Sequence, residues 1–252
     1  MLIICSIFVL INSDAAIEKK LIIDPGHGGR DAGASYNGVV EAELNLAIAL
    51  KLKTIFEENG YIVDLTRYDE KDLCAVDFIK KEDMNKRINM INSNNYLACI
   101  SIHQNIYSDS KYYGAQVFYN DNNQNNKKFA QNVQESLKFF LNNTTRQVVK
   151  RDNIYLLNRV VIPTIIVECG FITNLEESTL LQDENYQYKL AYCLYYGTII
   201  AFKEWKLISE DIPFFLFCVI IKYRVNLFLE VKLWDMLNSK MSIKDIKREL
   251  KL

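Results

Sequence analysis

Three short apolar runs in this chain each deliver a side chain suited to metal binding or proton transfer. Leu21-Ile22-Ile23 leads into Asp24-Pro25-Gly26-His27-Gly28-Gly29. Ala98-Cys99-Ile100 leads into Ser101-Ile102-His103-Gln104-Asn105. Thr164-Ile165-Ile166-Val167 ends on Glu168. Runs this short, bounded by turn residues and rich in branched side chains, read as buried strands. An open α/β sheet lines up the carboxyl ends of its strands along one edge, and ligands bind there. His27 and His103 are the 2 histidines of the whole chain. The pattern predicts one site assembled from residues far apart in sequence.

The segments between these runs fit that architecture. Helices are predicted over 41–59, with Leu44, Ile48, Leu52, Ile55 and Phe56 at helical spacing, and over 81–93, 127–141 and 184–205. Strands are predicted over 61–66, 96–102, 115–119 and 164–167, and a short one over 153–157. The Asn-rich run 120–126 reads as a surface loop. Alternation of this kind gives an α/β fold: a mixed, mostly parallel sheet of about six strands with helices on both faces.

Composition narrows the function. A net charge of -1 argues against a general nucleic-acid grip, and no nucleic-acid partner is expected. Lys150, Arg151 and Arg159 read as a solvated basic face. Cys5, Cys74, Cys99, Cys169, Cys193 and Cys218 are scattered without a Cys-x-x-Cys pair, unlike a zinc finger or a disulfide scaffold. Residues 1–18 carry an apolar stretch over 2–11, read as a partial signal peptide or N-terminal anchor. That places the protein outside the cytoplasmic membrane. Residues 19–205 form the predicted catalytic domain, and 206–252 an unassigned C-terminal tail. The tail's apolar run at 212–221 is too short to cross a bilayer, which needs roughly 20 residues.

Two histidines and a carboxylate form a zinc set, with the fourth position open to water. Zinc lowers the pKa of bound water to about 7, and a nearby carboxylate moves its protons. The third ligand must be acidic, because no further histidine exists. Asp24, Asp31, Glu41 and Glu43 are candidates. Glu41 is the best placed, at the start of the helix that follows the His27 loop, where the helix dipole favours a carboxylate. Asn45, one turn on, can bond Glu41 or the loop. Glu168 closes an apolar strand, where an acid is costly unless it serves a cleft, and reads as the general base. Asp24 is expected to orient the His27 ring and Asn105 to hold the His103 loop. Gly26, Gly28 and Gly29 let the loop wrap closely around the histidine.

These residues resemble a known family. Asp24-Pro25-Gly26-His27-Gly28-Gly29, Asp31-x-Gly33, Val40-Glu41-x-x-Leu44-Asn45, Leu65-Thr66-Arg67, Ser101-Ile102-His103-x-Asn105 and Val167-Glu168-x-Gly170-Phe171 are similar to the zinc-dependent N-acetylmuramoyl-L-alanine amidases of the amidase-3 group. Asn143-Thr144-Thr145-Arg146, Ile154-Tyr155-Leu156-Leu157 and the stretch 176–181 look most like the sporulation branch, the germination-specific amidases of spore cortex.

The resemblance implies zinc (Zn2+) held by His27, Glu41 and His103, with Glu168 as catalytic acid/base. It implies peptidoglycan glycan-peptide strands as substrate, cut between N-acetylmuramic acid and L-alanine. In the sporulation branch, a separate deacetylase then closes muramic-δ-lactam. No wall-binding repeat is visible, so an accessory protein for recruitment or activation is expected. Two rivals are a Cys/His cell-wall peptidase using Cys169 or Cys99 with His103, and an amidase-like fold that binds wall or partner without turnover.

Overall fold

The computed structural model describes residues 18–208. The readings of the segment 2–11 and of the tail from 209 onward lie outside the described residues. In chain order the elements are β1 (Lys20–Pro25), β2 (Ser35–Tyr36), β3 (Val39–Val40), α1 (Glu41–Glu58), β4 (Ile62–Leu65), α2 (Lys80–Asn92) and β5 (Cys99–Asn105). Then come β6 (Gln116–Tyr119), α3 (Asn126–Leu141), β7 (Val149–Lys150), β8 (Thr164–Phe171), α4 (Leu175–Gln182) and α5 (Glu184–Glu204).

One 6-stranded sheet runs in the order β4-β1-β5-β8-β6-β7. Its first four strands are parallel, β6 is antiparallel to β8, and β7 is parallel to β6. This is the mixed, mostly parallel sheet that the alternation predicts. The two-residue period of each strand divides its apolar residues between two layers. Leu21 and Ile23, Ile100 and Ile102, and Ile165 and Val167 join α1, α3 and α5 in the main core. Ile22 and Cys99 face the other way, onto Ile88 and Ile91 of α2 and onto Leu156 and Val160. Helices therefore cover both faces.

The α3–α5 contact is close enough to require a glycine. A Cβ on Gly197 would stand 2.4 Å from the Cα of Val133. A glycine inside a helix costs about 0.5–1 kcal/mol relative to alanine, and here it allows two helices to touch.

The structure departs from the sequence reading in four places. Residues 153–157 form a turn rather than a strand. Leu156 and Leu157 are used as plugs over the sheet, 2% and 1% exposed, so burial produced an apolar run without a ladder. The Asn-rich loop is not purely a surface feature. Asn120 and Asn126 are buried, and Asn126 accepts a hydrogen bond from Thr164 N at 2.7 Å while donating to Asn120 Oδ1 at 3.0 Å. Strand β8 continues past Glu168 to Phe171, so the glutamate sits within the strand rather than at its end. Finally, α4 carries no clear apolar stripe and was not anticipated. Its start is set by Asn174, whose side chain accepts from Glu177 N at 3.1 Å.

Candidate metal centre and catalytic site

The carboxyl ends of β1 and β5 and the first turn of α1 bring three ligand-type side chains together. Ligand atoms of His27, Glu41 and His103 all lie within 4.8 Å of one another. Glu41 Oε1 is 3.0 Å from His103 Nδ1 and 3.4 Å from His27 Nε2. The imidazoles meet edge to face, their centroids 5.0 Å apart. Four ligands at zinc–nitrogen distances of 2.0–2.1 Å stand about 3.3 Å apart in a tetrahedron, so these spacings fit a small divalent cation.

The loop geometry explains how the histidines reach each other. His27 has φ 61, a left-handed conformation that non-glycine residues adopt at a cost of about 1–3 kcal/mol. A Cβ on Gly26 would lie 2.2 Å from the His103 ring, and one on Gly33 would lie 2.6 Å from Glu41 Oε2. Both glycines are thus required by close approach to the ligand side chains.

Glu41 is 4% exposed and densely held. Its Oε2 accepts from Ala34 N at 2.8 Å, and its Oε1 accepts from Gln104 N at 3.1 Å and from Asn45 Nδ2 at 3.5 Å. Burial raises its pKa, but the bonds and charges of His103 and His27 outweigh that and hold it well below the usual carboxylate range. The same pairing, with Asp31, raises the pKa of His27 against burial.

Glu168 is the direct register partner of His103 across β5 and β8. Its Oε2 is buried and has no hydrogen-bond partner. Burial, opposed by His103 and assisted by Glu41, pushes its pKa up to about 7. Glu168 thus adds a second buried carboxyl group to a pocket that already holds Glu41. A cation satisfies such a pocket, and the donor set of two imidazoles and a carboxylate suits zinc.

The other anticipated residues are placed as follows. Asn45 is fully buried and bridges Gly26 O at 3.0 Å to Gln104 Nε2 at 3.1 Å, beneath both ligand segments. Asn105 bonds locally, its Oδ1 accepting from Ile106 N at 2.9 Å where the β5–β8 register shifts. Glu43 is exposed on α1. Asp24 does not orient the His27 ring; its carboxylate accepts from Thr66 Oγ1 at 2.6 Å, Ser101 Oγ at 2.7 Å and Arg87 Nη1 at 2.8 Å. The ring contact belongs to Asp31, whose Oδ2 is 2.9 Å from His27 Nδ1.

Two arginines complete the support. Arg87, 1% exposed, donates to Asp83 Oδ2 at 2.7 Å, to Pro25 O at 2.8 Å and to His27 O at 2.5 Å. Arg67 donates to Pro25 O at 3.0 Å and Gly26 O at 3.1 Å. Together they fix three successive carbonyls of the ligand loop. The sequence carried a faint signal for Arg87, an Asp83/Arg87 pair at i,i+4 on the face of α2 that also bears Ile88 and Ile91.

Comparison with known proteins decides the family. The sequence profile of N-acetylmuramoyl-L-alanine amidases matches residues 21–199. The chain belongs to that family. This amidase is therefore a peptidoglycan hydrolase that cuts the amide between N-acetylmuramic acid and L-alanine. It is 36% identical over 191 residues to the germination-specific N-acetylmuramoyl-L-alanine amidase of Bacillus subtilis, a match covering 74% of this chain and 81% of that one. The amidase LytC of the same organism is 29% identical over 189 residues, covering 74% of this chain and 36% of LytC. Among solved structures, the CwlD amidase of Clostridioides difficile, determined in complex with the GerS lipoprotein, superposes with a TM-score of 0.70. That match has 38% identity and covers 74% of this chain and 99% of CwlD.

The cysteine-peptidase alternative fails on geometry. Cys99 and Cys169 are fully buried, and burial pushes both thiols well above their usual range. Cys169 also points into the main core, on the opposite side of β8 from Glu168. A reactive cysteine needs access and a lowered pKa.

Proposed function

We propose that this amidase holds zinc on His27, Glu41 and His103 and uses Glu168 as its acid/base. The convergence of those three ligand atoms beside the unpartnered Glu168 Oε2 carries the reading. Bound there, zinc would act as a Lewis acid toward water and the scissile carbonyl. Glu168 takes the proton of the attacking water and delivers it to the departing alanine nitrogen. A buried carboxyl group with an unpartnered oxygen is suited to take a proton and hand it on. Asn45, Arg67 and Arg87 keep the ligand loop in place, and Asp31 holds the His27 ring. Glu168→Gln should bind zinc as the wild type does while hydrolysis falls by about 10²–10⁴-fold. A fully active Glu168→Gln variant would remove the general base from the mechanism. His103→Ala should lose the metal itself, read by elemental analysis.

The natural substrate we propose is spore-cortex peptidoglycan, acted on outside the cytoplasmic membrane. Likeness to the germination-specific amidase supports it. Likeness to CwlD, which was solved with a lipoprotein, supports an accessory protein for recruitment or activation. Mass spectrometry of stem peptides released from intact and spore-type peptidoglycan, with and without such a lipoprotein, tests both points. Equal rates on both substrates, unmoved by the lipoprotein, would count against them.

A further inference from the structure

A cluster of tyrosines stands on the loop that leaves the carboxyl end of β5, the strand that carries His103. Tyr107, Tyr112 and Tyr113 are 48%, 44% and 56% exposed, an unusual outlay of aromatic surface on one short loop. They follow β5 directly, a few residues beyond His103. The rings of Tyr107 and Tyr112 are 4.3 Å apart, and Tyr112 leans on Phe171 of β8 at 6.3 Å. Arg146 lies under this group, its guanidinium 4.6 Å from the Phe171 ring and 5.9 Å from that of Tyr112.

The loop is held in place despite its exposure. Arg146 Nε donates to Tyr113 O at 2.7 Å, Asn174 Nδ2 donates to Ser110 O at 2.8 Å, and Tyr107 N donates to Thr173 Oγ1 at 3.3 Å. The loop is also linked to the catalytic machinery. Arg146 Nη1 donates to Gln116 Oε1 at 3.2 Å, and Gln116 is the register partner of Glu168 on β6. Aromatic faces left exposed but pre-positioned on a held loop are a ligand surface rather than an unfinished core.

Resting on the amidase reading above, we infer that Tyr107 and Tyr112 form a platform on which the glycan strand of peptidoglycan stacks. The scissile amide hangs from a lactyl group on one sugar of a strand, so every productive complex with polymeric substrate also runs neighbouring sugar rings past the site, and these are the rings assigned to the platform. Hexose rings present apolar C–H faces and no charge. Tyrosine rings match them, with hydroxyls left to bond the sugar hydroxyls at the edges. Binding sugars that do not react, equally in ground and transition states, lowers KM and leaves kcat unchanged.

The test uses glycan strands stripped of stem peptide, which bind but cannot be cleaved. The wild type should co-sediment with them, and the double variant Tyr107→Ala/Tyr112→Ala should bind about tenfold more weakly, as expected for two lost stacking faces. Tyr112→Phe alone keeps the stacking face and loses one edge hydroxyl, so it should weaken binding by less than the double variant does. On intact peptidoglycan the double variant should show a raised KM with kcat retained, whereas turnover of a single N-acetylmuramoyl-peptide should stay within about twofold. Wild-type protein that ignores stripped glycan would overturn the platform, as would equal binding by the double variant. An equal loss on the small substrate would instead assign the loop to the stem peptide. A variant that binds glycan normally but no longer answers an accessory lipoprotein would give the surface to that partner. Failure of the amidase chemistry reads separately, as wild-type protein that releases no stem peptide.

Discussion

The two faces of the sheet are built from different materials. The face under α1, α3 and α5 is apolar almost throughout, with Leu21, Ile100, Ile165, Phe129 and Leu194 all fully buried. The face under α2 mixes a small apolar cluster with buried charge: Asp24, Ser101, Asp83 and Arg87 lie among Ile22, Ile88 and Cys99. Glu168 and His103 project on this second side. The contrast teaches where each property of the enzyme resides. Non-directional apolar burial on the first face supplies stability and accepts swaps of similar volume. Directional bonds on the second face fix the His27 loop, and removing one partner leaves a buried charge uncompensated.

Paired truncations should separate the faces most sharply. Arg87→Ala leaves two buried carboxylates without their partner and should cost about 3–5 kcal/mol. Phe129→Ala opens a cavity in the apolar core and should cost a similar 3–5 kcal/mol. Denaturant unfolding measures both. Only Arg87→Ala should also weaken zinc binding, because it releases His27 O and leaves Pro25 O to Arg67 alone. Equal metal affinity in the two variants would sever the link between the charged scaffold and the site.

A smaller effect is expected at Asn45. Its removal leaves the fold intact but loosens Gly26 and Glu41 together. Asn45→Ala should lower metal affinity by about 10–100-fold in a chelator competition. Unchanged affinity would mean that the arginines suffice to hold the loop.

Titration offers the mildest comparison, between two acids on the second face. Burial pushes Asp24 upward, but the charge of Arg87 and hydrogen bonds from Thr66 and Ser101 win and hold it at about 2. Its stabilisation is complete above the ordinary carboxylate pKa of about 3.9 and disappears as pH falls toward 2. Glu168 has the opposite sign. With its pKa raised to about 7, the metal-free fold binds a proton that the unfolded chain has already released. Stability should therefore decline as pH rises from about 4.3 to 7. Thermal unfolding of metal-free protein across pH 4–8 should show that decline, and Glu168→Gln should make it shallower between about pH 4.3 and 7. A decline of unchanged steepness in the variant would place its origin in other groups, such as His27.

Much of this architecture could be read from the chain. The strands carrying His27 and His103 are apolar runs whose length and branching admit little else, and α1 announces itself through Leu44, Ile48, Leu52 and Ile55. Glu41 was legible because a helix start after a glycine-bearing turn can fold back on the strand before it. Residues 153–157 misled because burial selects apolar side chains whether or not a ladder exists. Asp24 misled for another reason. It is near His27 in sequence, but strand alternation turns it toward Thr66, Ser101 and Arg87, which are distant in sequence and adjacent in the sheet.

The sequence by itself determined the kind of fold and which side chains are suited to hold a metal or move a proton. Periods of two and of 3.6 residues are local, and the atoms fit for metal or proton chemistry are few. Tertiary structure alone decided the partnerships: Arg87 on the His27 loop, Asp31 rather than Asp24 at the His27 ring, and Tyr112 against Phe171. Those contacts follow from strand order and register, which no local pattern encodes. They arise when segments far apart in the chain are packed against one another.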